Sequence, residues 1–389
     1  MENFIFQNTT KIIFGKGTQK LVGEEVRNFS NRILLHYGGG SIKKTGLYDE
    51  VIKSLKEAHI EVVELPGVKP NPRLGLVAEG IKICRNEGIN FILAVGGGSV
   101  IDSSKAIALG INFNGKIWDF FTGKAKPEKA APVGVILTIP AAGSESSNVT
   151  VITNEDGLIK KGFHSDLIRP KFAILNPEIT FSLPEFQAAC GACDAMAHVM
   201  ERYFTHTENV DLTDRLCEAT IKTVIENAPI SIKKTDDYNS RAEIMWASTI
   251  AHNDILSTGR IGDWGSHKIG HEISAIYDTA HGASLAIVFP AWMKHALKDR
   301  ENVFKLYQYA VRVFDVDPLF ASKKDIALEG IRRLQQFLKG INLPTTLDDI
   351  NISDDMFEKM AEKCVQFGPV GKFKRLFKED VLAILRLAG

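Results

Sequence analysis

Apolar and polar positions follow two different rhythms along this chain, and the change falls at Pro184. Before it, compact apolar runs are separated by stretches of helical spacing. Arg32-Ile33-Leu34-Leu35-His36-Tyr37 predicts a strand, and Leu47 to Ala58 predicts a helix. Ile60 to Leu65 predicts the next strand and Leu74 to Arg85 the next helix. Phe91-Ile92-Leu93-Ala94-Val95 is apolar without alternation, as a strand covered on both faces should be. A helix running through Ala108 follows, then a further buried strand from Val133 to Ile139. Strands alternating with helices predict a parallel sheet with right-handed crossovers.

After Pro184 the apolar spacing is mostly helical. Leu212, Leu216, Ile221, Val224, Ile225 and Ala228 make one stripe, which Pro229 is expected to stop. Ile331, Leu334, Phe337 and Leu338 make another, ended by Gly340. The expected architecture is an α/β, Rossmann-like N-terminal domain with a parallel sheet over residues 1–184, then an all-α domain over residues 185–389. A chain of 389 residues suits two domains, because single cores stop growing near about 250–300 residues. The expected active site lies in the cleft between the domains.

Composition narrows the classes of partner. Hydrophobic content of 44%, charged content of 24% and a formal net charge of zero are those of an ordinary globular protein. They leave no basic field for nucleic acid or an anionic membrane. No apolar run approaches the roughly 20 residues that span a bilayer. The start, MENFIFQNTTKIIFGKG, shows no secretory pattern, so a cytoplasmic location is expected. The five cysteines are too few and odd in number for a disulfide framework. Cys190 and Cys193 have C-x-x-C spacing beside Asp194, which leaves open a redox pair or simple packing near a helix start.

Candidate chemistry begins with two Gly-Gly-Gly-Ser turns. Gly96-Gly97-Gly98-Ser99 follows a strand and opens a helix. Glycines let backbone approach an anion, and free N–H groups with the helix dipole favour phosphate. Ser99 is a good N-cap, with Asp102 three residues on. A tight turn without a ligand is the alternative. Gly38-Gly39-Gly40-Ser41 repeats the pattern after Tyr37. An NAD site usually carries an acid there for the ribose 2′-hydroxyl. No acid occurs between Arg32 and Leu47, and Lys43 and Lys44 lie just beyond. That pattern suits a 2′-phosphate, or the lysines merely solvate a helix start. A third strand-end turn, Thr138 to Glu145, supplies hydroxyls and N–H groups.

The second set of candidates suits a metal. Asp194 and His198 are spaced i, i+4, as are His267 and His271, and His281 follows. Such pairs stack on one helix face. One carboxylate with imidazoles suits Zn²⁺ or Fe²⁺. A metal with an open position polarises an alcohol or carbonyl oxygen, and a spare histidine would relay a proton.

Together these residues resemble the iron-containing (group III) alcohol dehydrogenases, in the NADPH-dependent butanol dehydrogenase and aldehyde reductase branch. The resemblance spans essentially the whole chain. It rests on Thr10-Lys11-Ile12-Ile13-Phe14-Gly15, Lys69-Pro70-Asn71-Pro72, the GGGSxxDxxK run Gly96 to Lys105, Gly143-Ser144-Glu145, the run Gly191 to His198, and the set His267, His271 and His281. It implies a metal, iron or zinc, held by Asp194, His198, His267 and His281, with His271 unligated near the substrate. It implies Asp102 at the carboxamide end of the cofactor, and Thr138, Ser144 and Lys160 along the ribose and phosphate path with Asn71 nearby. NAD-using members carry Asp where this chain has Gly39, which favours NADP(H). A homodimer is also implied. Two departures stand out: Ala142 precedes Gly143 where a Thr is common, and Asn176-Pro177 replaces Asp-Pro.

The expected function is thus NADP(H)-linked oxidation of short- to medium-chain primary alcohols, or reduction of aldehydes such as butanal. A sugar-phosphate cyclase of the dehydroquinate synthase type shares the architecture, but only Lys268 offers a cation beside His267. A metal-assisted hydrolase with structural glycine turns is the alternative from another class.

Overall fold

The structure, a computed structural model, describes residues 1–319 and 321–389. The chain divides into two compact units. One comprises Gln7–Leu183 and Thr235–Met245; the other comprises Met1–Phe6, Pro184–Lys234 and Trp246–Gly389.

The first unit holds strands β1 (Lys11–Phe14), β2 (Arg32–Tyr37), β3 (Glu61–Leu65), β4 (Ile92–Gly96), β5 (Val133–Leu137), β6 (Val149–Asn154), β7 (Ile159–His164) and β8 (Phe172–Leu175). Its helices are α1 (Val22–Arg27), α2 (Ser41–Lys44), α3 (Leu47–Glu57), α4 (Leu74–Asn86), α5 (Gly98–Ile111) and α6 (Trp118–Phe121). Six strands form a parallel sheet in the order β1-β8-β5-β4-β2-β3. This is the α/β, Rossmann-like architecture that the alternation of elements predicts.

The sheet explains why its strands show no alternation in sequence. Successive side chains point to opposite faces, and both faces are covered. Leu34, Ala94 and Val135 join one apolar core with Ile101 and Ile107 of α5 and Val77 and Ile81 of α4. Ile33, Leu35, Leu93 and Val95 join another with Val51 and Leu55 of α3. His36 is buried in β2, with Nδ1 2.7 Å from the Leu65 carbonyl oxygen and Nε2 2.8 Å from Ser103 Oγ. Burial pushes its imidazole down to about 4, so this histidine is a neutral structural link between sheet and α5.

Some elements escape the periodicity. β1 and β8 are four residues each and pair across the chain, Lys11 opposite Phe172. β6 and β7 form a separate antiparallel hairpin. β5 ends at Leu137 rather than Ile139, and α5 runs on to Ile111.

The second unit is helical. It carries α7 (Glu185–Tyr203), α8 (Asp211–Lys233), part of α9 (Tyr238–His252), α10 (Gly265–Tyr277), α11 (His281–Ala296), α12 (Val303–Phe314), α13 (Lys323–Gly340), α14 (Phe357–Val365) and α15 (Lys378–Ala388). Two expectations for α8 fail. Pro229 lies inside the helix and does not stop it, because Ile230 still accepts a bond from Lys234 and Ile232 is buried beyond the proline. Leu212 and Leu216 are exposed, at 71% and 40%. Ile221, Val224 and Ala228 of the same stripe are buried, and towards the start of the helix the buried face presents Asp214 and Glu218 to Arg260, Lys305 and Arg312. Paired charges, which an apolar pattern does not register, hold that face.

Candidate active site

The nucleotide candidates all belong to the first unit. β4 leads through Gly97 into α5. A Cβ on Gly97 would come within 2.9 Å of Ile139 Cβ, so only glycine lets the strand-to-helix turn pack against the Thr138 segment. Thr138 donates its N–H to Gly96 O, which ties the two turns together. The first N–H groups of the 14-residue α5 have no intrahelical acceptor and suit an anion. Ser99 is not the N-cap it was expected to be. The cap position is Gly97, and Ser99 falls in the first turn because the helix already starts at Gly98.

Asp102 and Ser144 are brought together. Ser144 Oγ donates to Asp102 Oδ1 at 2.6 Å, and Val151 N donates to Oδ2 at 3.0 Å. Burial pushes the Asp102 carboxyl up, against the pull of Lys105. Lys105 is fully buried and its Nζ donates to the carbonyls of Ser144, Ser147 and Val149. This part of the GGGSxxDxxK run therefore clamps the third turn from within. Lys160 reaches from β7 to donate to Asn71 Oδ1 at 2.9 Å, and Asn71 holds a left-handed φ of 55°.

The first glycine turn differs from the second. It opens only a four-residue helix, α2, so dipole stabilisation is weak. Gly40 has φ 102°, which demands glycine, whereas a Cβ on the exposed Gly39 would meet nothing within 4 Å. The acid-free reading of this turn needs correction. Glu64 of β3 accepts hydrogen bonds from the hydroxyls of Tyr37 and Tyr48, both at 2.5 Å, and lies 3.6 Å from Lys43 Nζ. Burial raises its carboxyl, but the two tyrosines and Lys43 outweigh that and hold it below the usual range. Counting acids only between Arg32 and Leu47 missed it, because β2–β3 pairing delivers it.

The metal candidates belong to the second unit. α7 carries Asp194 and His198 in a stretch of small residues, all buried. Ligand atoms of Asp194, His267 and His281 lie within 4.8 Å of one another. Asp194 Oδ1 is 3.9 Å from His281 Nε2 and 3.5 Å from His198 Nε2. The His198 and His267 rings are 4.6 Å apart, and His271 lies 5.2 Å from His281. Burial, then the neighbouring His252 and His267, pushes His198 well below its ordinary value and leaves a neutral ring with a lone pair.

These residues fit a divalent cation. His267 Nε2 is buried with no hydrogen bond, while His267 Nδ1 meets Glu201 Oε1 at 2.7 Å. A buried acceptor nitrogen left unpaired is costly unless something else satisfies it. The cysteines are poor candidates. Burial pushes Cys190 up to about 12 and Cys193 well above its ordinary value, which disfavours the thiolate that exchange requires.

Sequence reasoning missed Glu201, His252 and Trp264. Glu201 had a signal: it follows His198 by three and Asp194 by seven, on the same face of α7. His252, 4.4 Å from His198 between ring centres, had none.

Gly282 decides how His281 approaches Asp194. A Cβ there would sit 2.0 Å from Cys190 O, a backbone atom of α7 that cannot swing away. Gly282→Ala is expected to push α11 off α7, with a stability loss of about 1–3 kcal/mol. Metal retained after dialysis against chelator should fall at least tenfold. Wild-type retention would mean that this contact does not position His281.

Similarities to known proteins agree with this geometry. Residues 9–177 match the family described as iron-containing alcohol dehydrogenase, and residues 188–389 match the C-terminal part of the Fe-containing alcohol dehydrogenase family. A probable NADH-dependent butanol dehydrogenase of Bacillus subtilis is 46% identical over 386 residues, 99% of each chain. An NADPH-dependent aldehyde reductase of Escherichia coli is 36% identical and covers 95% of this chain and 94% of its own. The crystal structure of NADH-dependent butanol dehydrogenase A from Thermotoga maritima superposes with a TM-score of 0.96 at 41% identity, covering 100% of this chain and 99% of that one. With one family matched across both halves and a buried carboxylate–imidazole cluster in the second, the chain belongs to the iron-containing alcohol dehydrogenases.

Proposed function

We propose that this protein is a metal-dependent, NADP(H)-linked alcohol dehydrogenase that works chiefly as an aldehyde reductase on short- to medium-chain substrates such as butanal. The observation that carries the metal dependence is the Asp194, His267 and His281 group, with His267 Nε2 buried and facing no hydrogen-bond donor. Asp194, His198, His267 and His281 would hold the ion. When bound, it supplies Lewis-acid polarisation of the substrate oxygen.

The remaining roles fall to the chain itself. The Gly96–Ser99 turn and the start of α5 would take the cofactor pyrophosphate. Asn71 and Lys160, already joined, would bind along the ribose and phosphate path. Thr138, Ser144 and Asp102 would form the wall at the nicotinamide end, with Lys105 holding that wall still. His271 would hold or deliver the proton that accompanies hydride transfer. Substrate choice is supported by the butanol dehydrogenase and aldehyde reductase names of the relatives.

The test is oxidation of NADPH and of NADH with butanal, on enzyme stripped of metal and reloaded with Fe²⁺ or Zn²⁺. Turnover should require metal and favour NADPH. Turnover by stripped enzyme would overturn the metal reading. Absence of cofactor oxidation with any aldehyde, alongside ester or amide hydrolysis, would favour the hydrolase.

Cofactor choice has a specific second reading. Relatives named NADH-dependent are among the most similar, and Glu64 partly neutralises Lys43. NADPH is supported by the lack of an acidic side chain at position 39 itself, whose side is open. An acid there would repel a 2′-phosphate and hydrogen-bond a free 2′-hydroxyl. Because the Gly39 side is open, Gly39→Asp introduces no clash. It should weaken NADPH use at least tenfold, about 1.4 kcal/mol, and leave NADH use equal or better. A wild type that prefers NADH, or a variant that loses both cofactors alike, would refute the 2′-phosphate reading.

A further inference from the structure

Glu201 is a heavily committed side chain near the metal candidates, and the roles above leave it unused. It is 1% exposed. Its Oε1 accepts from Ser266 Oγ at 2.5 Å, from His267 N at 3.0 Å and from His267 Nδ1 at 2.7 Å. Its Oε2 accepts from Trp264 N at 2.5 Å. Every partner is a donor, so the site suits an ionised carboxylate and no other side chain of this size.

The geometry has two consequences. The first is local. Trp264 precedes α10 with φ 68°, a left-handed conformation that costs roughly 1–2 kcal/mol for a residue with a Cβ. Glu201 fixes that residue and the first turn of α10 by three of its four bonds, so α10 starts where His267 faces α7. The second concerns the ring. A neutral imidazole that donates from Nδ1 to a carboxylate presents its lone pair at Nε2. That is the nitrogen left buried and without a hydrogen bond. A carboxylate behind the ring also orients it and strengthens Nε2 as a metal ligand.

We propose that Glu201 is the positioning residue of the metal centre: it sets the Nε2-lone-pair tautomer of His267 and strengthens that nitrogen as a ligand through its negative charge. This rests on the metal reading given above. Asp194, His198 and Glu201 then form one face of α7 at i, i+4 and i+7, with two positions aimed at the ion and the third acting through α10.

The experiment measures Zn²⁺ affinity of the stripped full chain by competition with a chromophoric chelator, with no turnover involved. Wild type should bind one ion; no binding at all would refute the metal reading itself. Glu201→Gln should bind 10–100-fold more weakly, and its Co²⁺ form should show a shifted visible spectrum. Ser266→Ala removes a structural bond to the same carboxylate and leaves the Nδ1 contact. It should bind zinc as wild type does. Equal losses in both variants would reduce Glu201 to a clamp and overturn the proposal, as would unchanged affinity in Glu201→Gln. Should Glu201→Gln not fold, the wild type still decides. Nitrogen NMR of labelled histidine, with the His267 signals assigned by their loss in His267→Gln, should show Nδ1 protonated with and without zinc, and the Nε2 signal moved by the ion. An Nε2-protonated ring in the stripped protein, or zinc at Nδ1, would refute it.

Discussion

Asp194→Ala should abolish metal retention and lower kcat/KM for butanal by at least about 10³-fold, since polarisation of a substrate oxygen by a bound ion is worth several kcal/mol and each 1.36 kcal/mol is a factor of ten. Asp194 is the carboxylate common to the close approaches of His198 and His281. Removing it takes away the only carboxylate among the proposed ligands, and leaves imidazoles alone. The nucleotide candidates lie in the other unit and share no residue with it. NADPH binding, read by fluorescence of the reduced cofactor, should therefore stay within about twofold, since sites without shared partners behave independently. Stoichiometric metal after dialysis against chelator would show the ligand assignment to be wrong. Lost NADPH binding together with lost metal would show unfolding instead, and a thermal melt would reveal it.

The parts of this molecule that the sequence made legible are those whose cause is local. β2, β4 and β5 and helices α3 to α5 fall within a residue or two of their expected bounds in most cases, because buried parallel strands and amphipathic helices impose their own periods. β1 and β8 were not legible. Each has only four residues, and what makes them strands is pairing with distant partners: β1 with β8 about 160 positions away, and β8 with β5 as well. The same distinction runs through the candidate site. The i, i+4 spacings of Asp194 with His198 and of His267 with His271 mark two helix faces, but nothing in the spacing brings α7 to α11. That depends on Gly282 lying against Cys190 O, a contact between segments 92 positions apart that a Cβ would block. Glu201 was readable from α7 alone, by extending the same face one further turn. Glu64 was not, since it arrives at the first glycine turn through the β2–β3 ladder. α8 shows the opposite error: its leucines at 212 and 216 read as core but are exposed, because the helix buries carboxylates paired with Arg260, Lys305 and Arg312.

The second large effect is expected at His271, and it should be an effect on rate. His271 lies one turn beyond His267 on α10, is half-buried, and stands 5.2 Å from the His281 ring. Like His198, it lies outside the group of ligand atoms within 4.8 Å. Unlike His198, which approaches Asp194 Oδ1 to 3.5 Å, it is proposed as the unligated imidazole. On the proposed function, this imidazole would exchange a proton with the alcohol oxygen as the hydride moves. General acid–base help of this kind contributes about 10²–10⁴-fold. His271→Ala should thus retain metal and NADPH binding and lose kcat by that factor, with KM for butanal changed far less. Single-turnover oxidation of prebound NADPH should show the same loss, which places it in the chemical step and not in product release. His271→Gln, which keeps volume and hydrogen bonding but cannot shuttle a proton, should be about as slow as the alanine variant. If the glutamine variant recovers the wild-type rate, His271 shapes the pocket without moving a proton. If either variant loses its metal, His271 is a ligand, and His198 becomes the residue to test for the proton.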